Sequence, residues 1–159
     1  MLSPGTSYKR VPKGLEENKK FRQKILRECK SSPASQREVL RICEEDILFY
    51  VGCFVFQFNP KKTNGEIGPF IPWDFQEKSL LEILRCVEDQ EDLVIEKSRD
   101  MGASWLCLIA LSWLYQFKRW KKFGLISNDA DAVDKPGDSK SLFWKLLFMH
   151  ERLPPWMMD

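Results

Sequence analysis

The sequence predicts an α/β fold, a parallel sheet with flanking helices, incomplete and preceded by a helical N-terminal segment. Three observations predict it. The short apolar run Leu93-Val94-Ile95-Glu96 has the length and composition of a buried parallel strand. A glycine-containing turn follows at residues 97–102 and opens into the uncharged stretch from Ala103 to Phe117, which reads as a buried helix and is short for a membrane span. Phe123-Gly124-Leu125-Ile126-Ser127 then reads as a second short strand, completing the order strand, glycine turn, helix, strand.

The remaining elements follow from local signals. Residues 1–34 are rich in Pro, Ser and charge and read as a basic, partly disordered arm, closed by Ser31-Ser32-Pro33. Ser35-Gln36-Arg37-Glu38 has capping-box spacing, so a helix is expected from Ser35, with Val39, Ile42, Cys43 and Ile47 along one face. The apolar run from Phe49 to Phe58 leaves helix and strand open, and the Gly and Pro content of residues 59–72 predicts a loop. Asp74 is placed to cap a helix with Glu77 three positions on, and Leu80, Leu81, Leu84 and Val87 supply its buried stripe. Lys118 to Lys122 supply cations at the end of the apolar helix; residues 128–137 read as a loop, and residues 138–150 as a helix stopped by Pro154-Pro155. No internal repeat is evident.

Composition bounds the function. With 159 residues, 43% hydrophobic and 30% charged, the chain has the size of one domain and lies outside the disordered and collagen-like classes. The formal charge of +2 conceals an asymmetry: residues 1–40 hold ten Lys and Arg against four Glu, a net +6, which leaves the remainder at −4. Such a basic segment suits an anionic partner, and equally a solvated leader. Five cysteines without a C-x-x-C pair and a single histidine, His150, suggest neither a disulfide framework nor a zinc site, and fit a reducing cytoplasm. The Pro, Lys and Glu mixture at the N-terminus does not read as a signal peptide.

The glycine turn carries the chemistry. A phosphate-binding loop has the form G-x-x-x-x-G-K-[ST], in which backbone N–H groups cradle phosphates, Lys neutralises them and Ser or Thr holds Mg²⁺. The frame here is Lys97-Ser98-Arg99-Asp100-Met101-Gly102-Ala103-Ser104. Gly102 and Ser104 are in register, Ala103 stands at the usual Lys position, and a Lys occupies the first position. Because such a loop wraps its anion, a Lys at its mouth can lie beside the phosphates. The pattern by itself is equally that of an ordinary turn starting a core helix.

The string from Glu96 to Trp105 resembles the phosphate loop of large terminase subunits, the DNA-packaging motors of tailed phages, a family with members in which the Lys is displaced to the start of the loop and members with an Arg at the position of Arg99. Flanking stretches are similar as well: Asp46 to Pro60 and Pro72 to Gln76 upstream, Leu125 to Asn128, Val133-Asp134 and Leu153 to Trp156 downstream. The resemblance covers roughly residues 40–159 and does not reach residues 1–40. It implies a P-loop NTPase-like sheet over residues 35–159, ATP and Mg²⁺ as cofactors, and double-stranded DNA, the portal and the small terminase subunit as partners, with a ring oligomer formed only by the full-length protein. It implies host cytoplasm as the location and no membrane.

The same resemblance assigns roles. Lys97 would contact the β and γ phosphates and Ser104 would hold Mg²⁺, with Ser98, Asp100, Met101, Gly102, Ala103 and Trp105 completing the loop; a solvated turn Lys and a first-turn Ser are the alternatives. Arg99 would bind the γ-phosphate as an internal arginine finger, or pair with Asp100 or Glu96. Gln76 would contact adenine with Trp73 or Phe75 packed nearby, or stand as a surface Gln at a helix start. Asn128, just past the second strand, is a weaker candidate, and Trp105, Trp113 and Phe117 read as helix packing. No apolar strand closed by Asp-Glu follows the loop, and a carboxylate-rich nuclease domain is not in the sequence. These departures predict the N-terminal portion of a motor domain, as a fragment, truncated frame or piece of a split gene, that binds ATP weakly and turns it over negligibly. A fragment of another P-loop or helicase-like NTPase and a non-catalytic packing module are the competing readings.

Overall fold

The computed structural model describes residues 7–59, 65–98, 101–118 and 121–158. Over these residues the protein is mixed α/β and mostly helical, with one small antiparallel sheet. It divides into two compact units, one holding the described residues up to Pro72 and from Met149 onward, the other Trp73–Phe148.

The first unit begins with a 3-10 turn at Tyr8–Arg10, followed by α1 (Leu15–Cys29), α2 (Pro33–Glu45), α3 (Ile47–Phe54), and a hairpin of β1 (Phe56–Asn59) and β2 (Glu66–Pro69). Much of the stretch expected as an arm is therefore built into the fold. The reason lies in α1, which buries Asn18, Arg22, Ile25 and Cys29 along one face at helical spacing. Arg22 is 4% exposed. Its Nε donates to Asn18 Oδ1 (2.7 Å), Nη1 to the Val55 carbonyl (3.0 Å), and Nη2 to the carbonyls of Val51 (3.2 Å) and Phe70 (3.3 Å). The guanidinium also lies 5.0 Å from the centre of the Phe56 ring. Burial lowers its pKa to about 10, so it stays charged at neutral pH, solvated by backbone dipoles in place of water. Asn18 completes the knot by donating through Nδ2 to the carbonyls of Pro12 and Gly52, both at 3.0 Å.

The helix starts differ from the capping-box expectation. Helix α2 opens at Pro33 because Ser32 caps it, its Oγ accepting from the Ser35 N–H (3.2 Å), and Pro33 supplies a pre-set φ at the first position. It closes at Asp46, whose buried carboxylate accepts from the N–H groups of Leu48 (3.1 Å), Phe49 (3.2 Å) and Tyr8 (3.1 Å). That carboxylate caps α3 and ties it to the 3-10 turn. All eight residues of α3 are buried, and Gly52 is required there: a Cβ would meet Val11 Cγ1 at 2.9 Å and Tyr8 at 3.0 Å. The open reading of residues 49–58 thus resolves as helix and then strand. The stretch expected as a loop contains β2, paired with β1 from Phe56↔Pro69 to Asn59↔Glu66.

The second unit contains α4 (Asp74–Asp89), α5 (Ala103–Phe117), the short α6 (Ala130–Val133) and most of α7 (Leu142–His150), which runs on to His150 in the first unit. Helix α4 packs on α5 and buries Gln76, Leu80, Ile83 and Cys86. Helix α5 has the bounds of the uncharged stretch and buries Leu106, Leu108, Ile109, Ala110, Trp113 and Leu114. Trp105 meets Phe148 edge-on at 6.0 Å, and Phe148 stacks on Trp144 at 5.0 Å. Asp129 caps α6 through the Ala132 N–H (2.7 Å).

The expectation that the structure does not meet is the parallel sheet. Among the described residues, 91–98 and 121–127 belong to no strand, and the two strands that do form are antiparallel. Val94 is 92% exposed and Ile126 93%. A parallel strand is held by hydrogen-bonded neighbours and covered faces, and neither run finds such a neighbour here.

Candidate functional site

Of the residues singled out by sequence, those of the glycine turn lie at and before the start of α5 in the second unit. Gly102 is the N-cap, with φ 77° and ψ 14°, left-handed backbone that glycine adopts at no steric cost. Beyond it the first turn of α5 directs unbonded N–H groups outward, since the helical bonds begin with the Leu106 N–H donating to the Gly102 carbonyl (3.0 Å). No acidic side chain occupies that turn, whose N–H groups carry the positive end of the helix dipole. Ser104 is exposed in this turn, while Met101, Ala103 and Trp105 are half-buried. Lys97 and Ser98 are exposed on the approach to the loop. Arg99 and Asp100 lie outside the described residues.

Gln76 is the residue that the structure joins to the loop. It sits in the first turn of α4, where Oε1 accepts from the Trp73 N–H (3.0 Å), half of a capping box, while Nε2 donates to the Met101 carbonyl (3.4 Å). A Cβ at Gly102 would lie 3.3 Å from Gln76 Nε2. One amide thus bridges the start of α4 and the turn into α5. Trp73, 63% exposed, packs on Phe75 with ring centres 5.6 Å apart, forming an aromatic shelf three and one residues before Gln76. Among the described residues, no hydrogen bond or ion pair links Lys97, Ser98 and Ser104 to one another. Asn128 is exposed and donates to Asp129 Oδ2 (2.8 Å), helping to order the cap of α6.

A shallow groove of about 420 Å³ lies beside the approach to the loop, between Lys78, Ser79 and Glu82 of α4 and the chain from Leu93 to Glu96. Among the described residues, no group of three or more His, Cys, Asp or Glu side chains is arranged to hold a metal ion, and no helix is long and apolar enough to cross a membrane. The cysteines are held as thiols, since burial pushes Cys53 up to about 12 and Cys43 well above its ordinary value.

No protein-family model, curated protein or solved structure matches this chain. The geometry around Gly102 therefore bears the functional argument together with the residues themselves. Sequence reasoning missed the bond from Gln76 to Met101, because a contact across 25 residues leaves no periodic signal, and it missed Asn18, Arg22 and Asp46 as buried polar hubs for the same reason.

Proposed function

We propose that the chain is the ATP-binding portion of a DNA-packaging motor of the large terminase kind, with the phosphate loop at residues 97–104. The observation that carries the reading is the left-handed Gly102 at the mouth of α5, in register with Lys97 and Ser104 and bonded through Met101 to Gln76. A helix N-terminus with unbonded N–H groups and no acid in its first turn suits a phosphate. A loop lysine adds the neutralising charge, Ser104 is the group to complete a Mg²⁺ shell made chiefly of phosphate oxygens and water, and Arg99 is assigned to the γ-phosphate. The remaining amide hydrogen on Gln76 and the shelf of Trp73 and Phe75 suit an adenine edge and face. In this reading residues 93–96 and 123–127 join a parallel P-loop sheet once further strands flank them. DNA, the portal, the small terminase subunit and a ring assembly are the partners of the complete motor in the host cytoplasm.

Calorimetry tests the reading. ATP with Mg²⁺ is expected to bind the wild-type chain weakly, and Lys97→Ala to abolish that binding with the fold intact, because an exposed lysine adds little to stability. Gln76→Ala is expected to narrow any preference for ATP over GTP. Equal ATP affinity of wild type and Lys97→Ala, or no ATP binding at all, would overturn the assignment and leave the turn as a packing device.

A further inference from the structure

Two helices of this protein, α2 and α4, each hold an arginine against neighbouring acids. On α2, Arg41 is held by Glu38 and Glu45 at 2.8 and 2.6 Å; on α4, Arg85 is held by Glu82, Asp89 and the nearby Glu91, each at 2.8 Å. The N-terminal segment is different. From Tyr8 to Lys30 the chain carries nine Lys and Arg against three Glu, and only Arg22 of the nine is buried. Lys19 pairs with Glu16 at 2.8 Å and Lys24 reaches Glu28 at 3.9 Å. Among the described residues, Lys9, Arg10, Lys20, Arg27 and Lys30 are exposed and have no ion-pair partner.

Packing fixes the direction of the cations on α1. Because Asn18, Arg22, Ile25 and Cys29 face inward, Lys20, Lys24 and Arg27, at i, i+4 and i+7, run along the opposite face. Lys20 to Lys30 spans about 15 Å of helix, roughly four phosphate steps along one strand of a duplex. A membrane surface would require a broad apolar face beside the basic one. That face of α1 is already spent against α2 and α3, leaving Leu15 and Leu26 about half exposed.

We propose that the outward face of α1 docks on the phosphate backbone of double-stranded nucleic acid without reading its bases. The inference rests on charge and packing within the first unit and stands apart from the nucleotide reading. The test uses the full chain, a short labelled DNA duplex of arbitrary sequence, and the triple variant Lys20→Gln, Arg27→Gln, Lys30→Gln. A control triple, Lys121→Gln, Lys122→Gln, Lys140→Gln, makes the same change in net charge from exposed positions elsewhere. The α1 triple is expected to lose at least about tenfold in affinity at low salt and to shrink the slope of log K against log salt by about 2 to 3, at roughly 0.9 per lost phosphate contact, while the control keeps both. Should the triple lose its helical circular dichroism, Arg27→Gln alone must lower the slope by about 0.9. Equal duplex binding by the two triples overturns the proposal. So does a chain that ignores the duplex and binds phosphatidylserine vesicles. ATP calorimetry on the α1 triple separates this failure from that of the nucleotide reading, since neither outcome depends on the other.

Discussion

Arg22 shows how a charged residue becomes a structural centre. A guanidinium has five donors in a fixed planar fork, and here the fork spans α1, α3 and the residue after β2 by meeting Asn18 Oδ1 and three carbonyls. Val51 and Val55 carbonyls have second partners in the N–H groups of Val55 and Phe70. Removing the side chain therefore orphans chiefly Asn18 Oδ1 and the Phe70 carbonyl. Each costs about 1–3 kcal/mol when buried without a partner, and a cavity adds to that. Arg22→Ala is expected to lower the unfolding free energy by about 3 kcal/mol or more, and Arg22→Met by less because it refills the volume. Urea denaturation of the two variants checks the order; an Arg22→Ala protein as stable as wild type would mean that water replaces the fork.

At the scale of the element, α5 depends on how it starts. Its length follows from fifteen consecutive uncharged residues between a glycine and a lysine cluster, but its first turn is set by a backbone conformation that side chains with a Cβ resist. Gly102→Ala at φ 77° is expected to cost about 1–2 kcal/mol, and its new methyl would press on Gln76 Nε2. Gly102→Asn, which tolerates the left-handed region better, is expected to lose less. Thermal melts of both variants provide the comparison, and an Ala variant with unchanged Tm would show that the turn can relax to negative φ. Helix α5 was legible because its signal is local and composed of many residues. The cap of α2 was misplaced by three residues because Ser32 and Ser35 both satisfy the same capping chemistry, and only the bond from the Ser35 N–H to Ser32 Oγ decides between them.

For the whole molecule, titration sets the acid limit of stability. Burial lowers the pKa of His150 below its ordinary 6.5. Above that value the imidazole is neutral whether the chain is folded or not, and it contributes nothing to the pH dependence. As pH falls below 6.5 the unfolded chain takes the proton first, so stability declines until the folded imidazole titrates as well. The lowered carboxylates act further down. Glu38 and Glu82, bonded to Arg41 and Arg85, and Glu16, bonded to Lys19, stabilise the fold above their ordinary 4.5, and that contribution is lost as pH falls through their lower folded values. A profile of Tm against pH is expected to show both declines, and His150→Gln to remove the upper one while leaving the lower. Two unchanged profiles would mean that His150 is as hydrated folded as unfolded.

The sequence by itself determined the long helices α4 and α5, a glycine turn at the start of α5, and the unequal division of charge. Each of these is a local property, written in residues that are neighbours along the chain or recur at helical spacing. Only the tertiary structure decided that residues 15–29 pack inward, that a run left open between helix and strand divides at Val55, and that Gln76 reaches Met101. Those outcomes depend on which buried polar group finds a partner tens of residues away. The parallel sheet was the expectation most exposed to this limit: runs such as Leu93 to Glu96 carry the composition of a strand, but a strand exists only when a neighbour completes its hydrogen bonds, and composition does not supply the neighbour.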